Sequence, residues 1–234
     1  MNGLDGATLF SLRLSLQVAL TATCFVIIVG MAVAYVLARC DFRGRQLLDI
    51  LCTLPLVLPP SVTGYYLILL FGRNGIPGRW LYELTGESIM FTWQAAALAS
   101  FVVSLPLMVK TTRAAIESVD VNLVRASYSL GRTERETLFS VILPLAKPGI
   151  IAGALLSFCR AMGEFGATLM IAGNIPGRTD TMPLAIYTSA ASGDWGRAHF
   201  MVAVFTVVSG GLLLLANHLS SRFRKCGRNG LSPF

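Results

Sequence analysis

The sequence predicts an all-α protein that crosses a membrane about five times. Hydrophobic residues make up 54% of its 234 residues and charged residues only 13%, whereas soluble domains carry about 25% charged residues. The apolar residues are concentrated in runs of roughly 20, the length that an α-helix needs to cross a bilayer. Helices are expected in these runs because they satisfy every backbone hydrogen-bonding group within lipid.

Five apolar runs are predicted to be the membrane spans. They cover residues 14–37, 47–71, 91–109, 150–172 and 200–219. The start of the chain, MNGLDGATLF, has no basic region and no clear cleavage site, so the first run is interpreted as an uncleaved span. An apolar piece at 183–191 is too short to cross and is predicted to be a re-entrant or surface helix.

The second predicted span contains features that interrupt a helix. Pro59 and Pro60 stand in its middle, and Gly64 follows them. Proline removes a backbone donor and clashes with the preceding turn, so this span must break or kink. A break in lipid is tolerated only where the freed backbone faces protein or a water-filled cavity. The break is therefore either a packing kink or part of a translocation path, with Ser61 and Thr63 facing it.

The fourth predicted span carries two charges, Arg160 and Glu164. Each charge near the centre of a bilayer costs about 2.5–3.5 kcal/mol on insertion scales. The spacing of four residues places both side chains on one face of a continuous helix, where they neutralise each other. Two interpretations stay open: a structural ion pair that faces the interior of the bundle, or a pair that lines or gates a polar path.

The distribution of basic residues predicts the orientation, since cytoplasmic segments are rich in lysine and arginine. The segments after the first, third and fifth spans contain twelve such residues. The opposite side contains four, which are Arg73, Arg79, Arg178 and Arg197. This bias predicts an external N-terminus and a cytoplasmic C-terminus. It also places the polar segment at 117–147 in the cytoplasm.

That polar segment is predicted to form two short helices that meet at a glycine. Apolar residues recur every three or four positions, as on one face of a helix: Ile116, Val119, Leu123, Ala126 and Leu130. Gly131 is suited to the left-handed conformation that ends a helix. Thr133 and Glu136 have the spacing of a capping box, which starts the next helix. Such a connection is either a solvated linker or a functional loop.

The letters RASYSLG, followed after eleven residues by Leu143-Pro144, resemble the signature loop of ABC importer permeases. The resemblance implies that residues 117–147 form a coupling loop that docks on a cytoplasmic ATPase. Val124 stands where this family usually has a glutamate. The residues that the resemblance assigns to ATPase coupling are Leu123, Arg125, Ala126, Ser127, Leu130, Gly131 and Thr133.

Three longer stretches, 54–78, 104–121 and 158–187, resemble the permeases of molybdate ABC transporters, and less closely those for tungstate and sulfate. The pieces GEFGAT and NIPG-x-T are the most specific, and the similarity extends over about residues 9–219. The resemblance implies an ABC importer type I permease fold and a path lined by nine residues: Pro59, Pro60, Ser61, Thr63, Arg160, Glu164, Phe165, Gly166 and Thr168. It also implies a homodimer, two ATPase subunits, an extracytoplasmic oxyanion-binding protein and alternating access.

These observations predict a multi-pass subunit of an importer in a bacterial inner membrane, with molybdate as the expected oxyanion. Residues 1–9 are expected to be external, 10–219 to form the permease domain and 220–234 to be a cytoplasmic basic tail. The sequence contains no G-x-x-x-x-G-K-[ST] loop, so ATP and magnesium are expected at the partner ATPase and no cofactor in this chain. No catalytic triad or metal-ligand spacing is present, so neither an enzyme nor a metal site is expected.

Three alternatives share some of these features. A sulfate, thiosulfate or tungstate permease would look similar. A stand-alone secondary transporter or channel would use the polar segment only as a connector. A membrane scaffold is disfavoured because charges and prolines within spans are costly unless they serve a path. Nucleic acid is not an expected partner, since the basic residues are spread between apolar spans.

Overall fold

The computed structural model describes residues 6–228, and the side chains of residues 6–214 apart from Thr85. This part of the chain contains only helices as regular structure. The helices are α1 Gly6–Arg39, α2 Arg45–Val57, α3 Pro60–Phe71, α4 Ile76–Thr85, α5 Trp93–Glu117, α6 Val121–Ser129, α7 Glu134–Thr137, a π-helical turn Leu138–Ile142, α8 Leu143–Met162, α9 Gly166–Ala172, α10 Met182–Ala191 and α11 Trp195–Arg228.

Four continuous helices in the described residues are long and apolar enough to cross a membrane: Gly6–Arg39, Trp93–Glu117, Glu134–Met162 and Trp195–Leu214. The second predicted span is instead the pair α2 and α3. Leu58 and Pro59 between them have extended ψ angles of 143° and 138°, and Pro60 starts α3. The predicted break at the prolines is confirmed, and the membrane-spanning elements are four long helices and one broken pair.

The prediction of one helix over residues 150–172 is wrong at its start and in its interior, although its end at Ala172 coincides with the end of α9. The helix begins at Glu134, because the capped α7 continues through the π-helical turn into α8. In that turn the Leu143 N–H bonds to the Leu138 carbonyl, one residue further back than in an α-helix. The helix then stops at Met162, and α9 begins only at Gly166. The fourth span is therefore a long helix followed by a short one.

Helix α5 lies at the centre of the bundle, packed against α1 on one side and α8 on the other. Small residues permit these close contacts, as in other membrane bundles. A Cβ at Gly30 of α1 would lie 2.7 Å from the Met108 Cγ, and Gly149 of α8 faces the Ala115 side chain of α5. The most apolar part of α5 is 61% buried, whereas that of α11 is 11% buried. The described side chains of α11, residues 195–214, are therefore mostly free of contact within this chain.

The end of α9 leads to the short helix α10, which packs against α1 and α11. This helix confirms the prediction of a short element at 183–191. Helix α11 continues through Arg228 into the predicted basic tail. Residues 1–5 and 229–234, the outer parts of the two predicted terminal segments, lie outside the described residues.

Candidate functional site

The two interrupted spans meet at their breaks. Helices α3 and α9 pack side by side, and their first residues are in contact. A Cβ at Gly166 would lie 3.0 Å from the Pro60 Cβ and 3.3 Å from the Ser61 backbone nitrogen. Further along, a Cβ at Gly64 would lie 2.9 Å from the Ala167 Cα. The proline segment and the GEFGAT segment, which are about a hundred residues apart in the sequence, thus form one junction.

The nine residues predicted to line a path differ in exposure at this junction. Pro59, Pro60 and Ser61 are exposed, Arg160, Phe165 and Gly166 are half-buried, and Thr63, Glu164 and Thr168 are buried. The Thr63 hydroxyl donates to the Pro59 carbonyl at 3.5 Å and is buried, so it does not face open space. Of the two hydroxyl-bearing residues Ser61 and Thr63, only Ser61 is exposed.

Glu164 ties the end of α8 to the start of α9. Its Oε2 lies 2.8 Å from the Arg160 Nη1, and its Oε1 accepts a hydrogen bond from the Ala167 N–H at 2.7 Å. The predicted ion pair is therefore present. The prediction that the two residues share one continuous helix is wrong, because α8 ends at Met162 and Glu164 lies in the break. The pair closes a gap between two helices.

The Glu164 side chain is 1% exposed and the Arg160 side chain 29% exposed. The Glu164 carboxylate is thus almost sealed from solvent, while part of the Arg160 side chain remains accessible. The Phe165 ring contacts the Tyr187 ring of α10, with centroids 5.1 Å apart. A partly accessible charged group at the edge of a helix break is suited to a polar path through the bundle.

The NIPG-x-T segment after α9 folds into a compact loop held by its own side chains. The Ile175 N–H donates to the Thr179 hydroxyl at 2.9 Å, and the Gly177 N–H donates to the Asp180 Oδ1 at 3.0 Å. The Ser11 hydroxyl of α1 donates to the other Asp180 oxygen at 3.2 Å. Burial raises the pKa of Asp180, and these hydrogen bonds oppose the increase. The loop is thereby attached to the first helix.

The polar segment between α5 and α8 has the predicted shape of helix, glycine and helix. Gly131 has a φ of +79° and no atom near the position of a Cβ. The Thr133 hydroxyl accepts from the Glu136 N–H at 3.3 Å, and the Glu136 Oε2 accepts from the Thr133 N–H at 2.8 Å. The predicted capping box is confirmed, although the helix that it starts is the long one that reaches Met162.

The predicted single apolar stripe over residues 116–130 is wrong. Ile116 belongs to the end of α5, and a new helix, α6, begins after Asp120, whose side chain accepts from the Asn122 N–H at 2.8 Å. The new helix restarts the phase of the repeat, so Val124 and Ser127 point inward. Val124, the residue in place of the usual glutamate, packs in a cluster with Ile116, Val119, Ile142 and Ala146.

The outward face of α6 carries the remaining residues assigned to ATPase coupling. Leu123 is 49% exposed and Leu130 81% exposed, and Arg125 and Ala126 are also exposed. Ser127 is instead buried, and its hydroxyl lies 2.9 Å from that of Thr137, which fixes α6 against the next helix. Phe139 of the π-helical turn is a further large apolar residue of this segment that is exposed, at 70%, and it was not predicted. The sequence feature that could have identified it is its position, three residues after the capping box, where a large apolar side chain stands in a polar segment.

Sequence reasoning also missed a charged network near the same end of the bundle. Asp49 of α2 lies 2.7 Å from the Lys110 Nζ and 3.0 Å from the Arg113 Nη1 of α5. Arg113 also forms a salt bridge with Glu117, whose Oε1 lies 2.8 Å from the Arg113 Nε. The sequence feature that could have predicted this network is Asp49, a carboxylate near the start of an apolar run. This network joins α2, the helix before the proline break, to the central helix.

The chain is similar in sequence to known transport proteins. Residues 12–225 match the family described as the binding-protein-dependent transport system inner membrane component. The chain is 40% identical over 219 residues to the molybdenum transport system permease protein ModB of Haemophilus influenzae, covering 92% of this chain and 94% of that protein. It is 43% identical over 203 residues to ModB of Escherichia coli strain K12, covering 86% and 89%.

A sulfate relative is slightly more distant. The sulfate transport system permease protein CysT of Escherichia coli strain K12 is 36% identical over 211 residues, covering 90% of this chain and 76% of that protein. Among solved structures, a bacterial ABC transporter involved in alginate import has a TM-score of 0.77 at 15% identity and covers 94% and 80% of the two chains. The MetNI methionine ABC transporter has a TM-score of 0.73 at 15% identity and covers 94% and 99%.

The structural neighbours show the fold alone, which is that of ABC transporter permeases. The sequence relatives and the family match cover nearly the whole chain. The chain therefore belongs to the family of binding-protein-dependent transport system inner membrane components.

Proposed function

We propose that this chain is the permease subunit of an ATP-driven importer for an oxyanion, and that the oxyanion is molybdate. The observation that carries the transport proposal is the junction of two broken spans beside the Arg160–Glu164 pair. Broken helices and charges are costly in a bilayer unless they serve a path. Molybdate is favoured over sulfate because the chain covers 94% and 89% of two molybdenum permeases at 40% and 43% identity, but only 76% of a sulfate permease at 36% identity.

The long helix Glu134–Met162 supports a direct mechanical connection between the two ends of the protein. Its 29 residues span roughly 40 Å at the usual rise per residue. One end follows Gly131 and the exposed face of α6, and the other end carries Arg160. A displacement of the coupling loop therefore moves Arg160 and, through Glu164, the start of α9 against α3. Alternating access would arise from this movement at the junction.

We propose that a homodimer of this chain works with two cytoplasmic ATPase subunits and an external oxyanion-binding protein. The outward face formed by Leu123, Ala126 and Leu130 would dock in a groove on the ATPase, since an amphipathic helix buries its apolar face against a partner. ATP and magnesium would bind at that subunit. The orientation with an external N-terminus follows from the basic-residue bias and places the coupling loop on the ATPase side.

Sulfate is the second candidate, favoured by the identity to CysT. The molybdate and sulfate assignments are distinguished with the complete transporter in lipid vesicles. ATP hydrolysis and anion uptake are measured with binding protein that is loaded with one anion or the other. We expect molybdate-loaded binding protein to stimulate both by about tenfold or more over sulfate-loaded protein, a discrimination of about 1.4 kcal/mol. Equal stimulation by sulfate would overturn the molybdate assignment. Uptake without ATP would overturn the importer assignment.

A further inference from the structure

A cavity of about 600 Å³ opens at the predicted external end of the bundle. It lies where α3 ends, beside the turn that follows α3, the residues before α5 and the loop after α9. Its polar lining consists of Arg73, Asn74, Ser88 and Arg178. No lining residue is a carboxylate, so the cavity carries two positive charges. We call it the Arg73–Arg178 cleft.

Neither guanidinium group of this cleft forms a salt bridge with a carboxylate among the described side chains. Arg79, another arginine at this end, pairs with Glu83 at 2.8 Å. Within residues 6–214, no salt bridge involves the side chain of Arg73 or Arg178. Arg73 lies over the Tyr82 ring, 5.3 Å from its centroid, which orients the cation without cancelling its charge. Two arginines without a counter-ion in one cleft give it a positive potential, which attracts anions.

The walls of the cleft are continuous with the junction of the broken spans. Helix α3 runs from Pro60 at the junction to Phe71 at the cleft, and its 12 residues cover roughly 18 Å. The Phe91 N–H in the wall of the cleft donates to the Ile171 carbonyl of α9 at 3.1 Å. Phe91 also has a φ of 60°, a conformation rare for a bulky residue. The cleft is thus linked to both helices of the junction, directly through the end of α3 and indirectly through the Phe91–Ile171 hydrogen bond to α9.

We propose that the Arg73–Arg178 cleft is a low-affinity binding site for a tetrahedral oxyanion at the external mouth of the path. The inference rests on the proposed function. Planar guanidinium groups match the oxygen pairs of an oxyanion, and Asn74 and Ser88 add neutral donors. Both arginines are exposed, so solvent weakens the attraction and the anion is held only briefly. The same arginine and neutral donor groups would bind an anion that is free in solution or one that the binding protein releases.

The test introduces one thiol into the cleft, by Asn74→Cys in a complete transporter whose five native cysteines are replaced. An anionic methanethiosulfonate is expected to modify this thiol about tenfold faster than a cationic one, after correction for their intrinsic rates, because a positive cleft concentrates anions. Millimolar tungstate is expected to slow the reaction. Arg73→Gln together with Arg178→Gln is expected to abolish both effects. The matched control Arg79→Gln removes one external charge outside the cleft and is expected to preserve both.

A transport measurement separates the sources of the anion and the possible occupants. In vesicles with loaded binding protein, the double variant is expected to import molybdate several-fold more slowly than Arg79→Gln. Stimulation of ATP hydrolysis by unloaded binding protein is expected to be unchanged in both. A loss of that stimulation in the double variant alone would show that the cleft holds an acidic protein surface, and it would overturn the proposal.

Three further outcomes would also test the proposal. Failure of tungstate to protect the thiol when both arginines are present would overturn the site. Protection by tungstate with unimpaired import in the double variant would overturn its place on the path. If tungstate protects but the parent transporter imports no oxyanion, the proposed function fails while the anion site stands.

Discussion

At the scale of single residues, Glu164 and Gly131 have the clearest physical roles. Glu164 joins a cation and the first turn of a helix in a region almost without solvent. Gly131 holds a backbone conformation that side chains with a Cβ disfavour. Neither role depends on packing volume, so each can be altered with little change in the core.

Removing Arg160 alone is expected to be worse than removing both charges. Arg160→Ala leaves the Glu164 carboxylate, 1% exposed, without a counter-ion, which costs about 3–5 kcal/mol. Adding Glu164→Gln removes the charge and keeps an oxygen for the Ala167 N–H. We expect the double variant to recover most of the lost thermal stability in lipid or detergent. A double variant no more stable than Arg160→Ala would mean that the pair is not coupled.

The same logic predicts that Glu164→Ala damages assembly and transport more than Glu164→Ala combined with Arg160→Ala. The margin is smaller, because Arg160 is 29% exposed and water partly solvates it when unpaired. The control is Arg79→Ala in the exposed pair with Glu83, whose side chains are 74% and 56% exposed. Its effect on stability is expected to be close to zero.

At Gly131, a β-branched residue is expected to uncouple the transporter without preventing its insertion. Gly131→Val must abandon a φ of +79° or bear strain of about 1–2 kcal/mol, which changes the angle between α6 and the long helix. Gly131→Asn is the matched control, because asparagine tolerates this conformation. We expect wild-type membrane levels for both, and loss of stimulated ATP hydrolysis and uptake only for valine. Equal uptake by the two variants would contradict this role.

At the scale of elements, the sequence predicted the break at Pro59 but not the one at 163–165. Proline acts locally, so its effect is readable from the chain alone. The second break contains no proline and lies in an apolar run, and it is stabilised by the Glu164 hydrogen bond and by contact between Gly166 and Pro60. Such tertiary contacts override local propensity. Similarly, the repeat from Ile116 to Leu130 suggested one helix because its spacing happened to continue across the new start at Asp120.

The contact of α3 with α9 can be tested through its glycines. Gly64→Ala places a Cβ 2.7 Å from that of Met170 and 2.9 Å from the Ala167 Cα, and overpacking of this kind costs about 1–3 kcal/mol. Gly210→Ala in α11 is the matched control, since no atom lies within 4 Å of its Cβ position. We expect lower thermal stability and slower uptake for Gly64→Ala only. Equal behaviour of the two variants would show that α3 and α9 do not pack closely.

At the scale of the whole molecule, the helical class and the membrane character were readable from composition. The segments proposed for ATPase coupling and for the path were singled out by their unusual residues. What the sequence did not contain locally was the meeting of those segments. The proline segment and the GEFGAT segment become one site only because α3 and α9 pack together. The continuous helix Glu134–Met162 was likewise hidden, since the capping box predicted only a short helix and the apolar run predicted a separate span from residue 150.

The orientation of the whole chain is open to direct measurement. A membrane-impermeant thiol reagent added from outside intact cells is expected to modify Asn74→Cys and Arg178→Cys, and to leave Arg132→Cys unmodified until the membrane is opened. The reason is the bias of basic residues toward the cytoplasm. The reverse pattern would place the coupling loop outside and would contradict the proposed contact with an ATPase.

The proposed contact with the ATPase is tested most directly by placing a charge on the outward face of α6. Leu130 is 81% exposed, so Leu130→Asp costs this subunit little stability but places a carboxylate in an apolar interface. Ile76→Asp, at a residue 87% exposed near the opposite end, is the matched control. We expect Leu130→Asp to lose co-purification of the ATPase and substrate-stimulated hydrolysis, and Ile76→Asp to retain both. Full retention of the ATPase and of its stimulation by Leu130→Asp would contradict the coupling role of this loop.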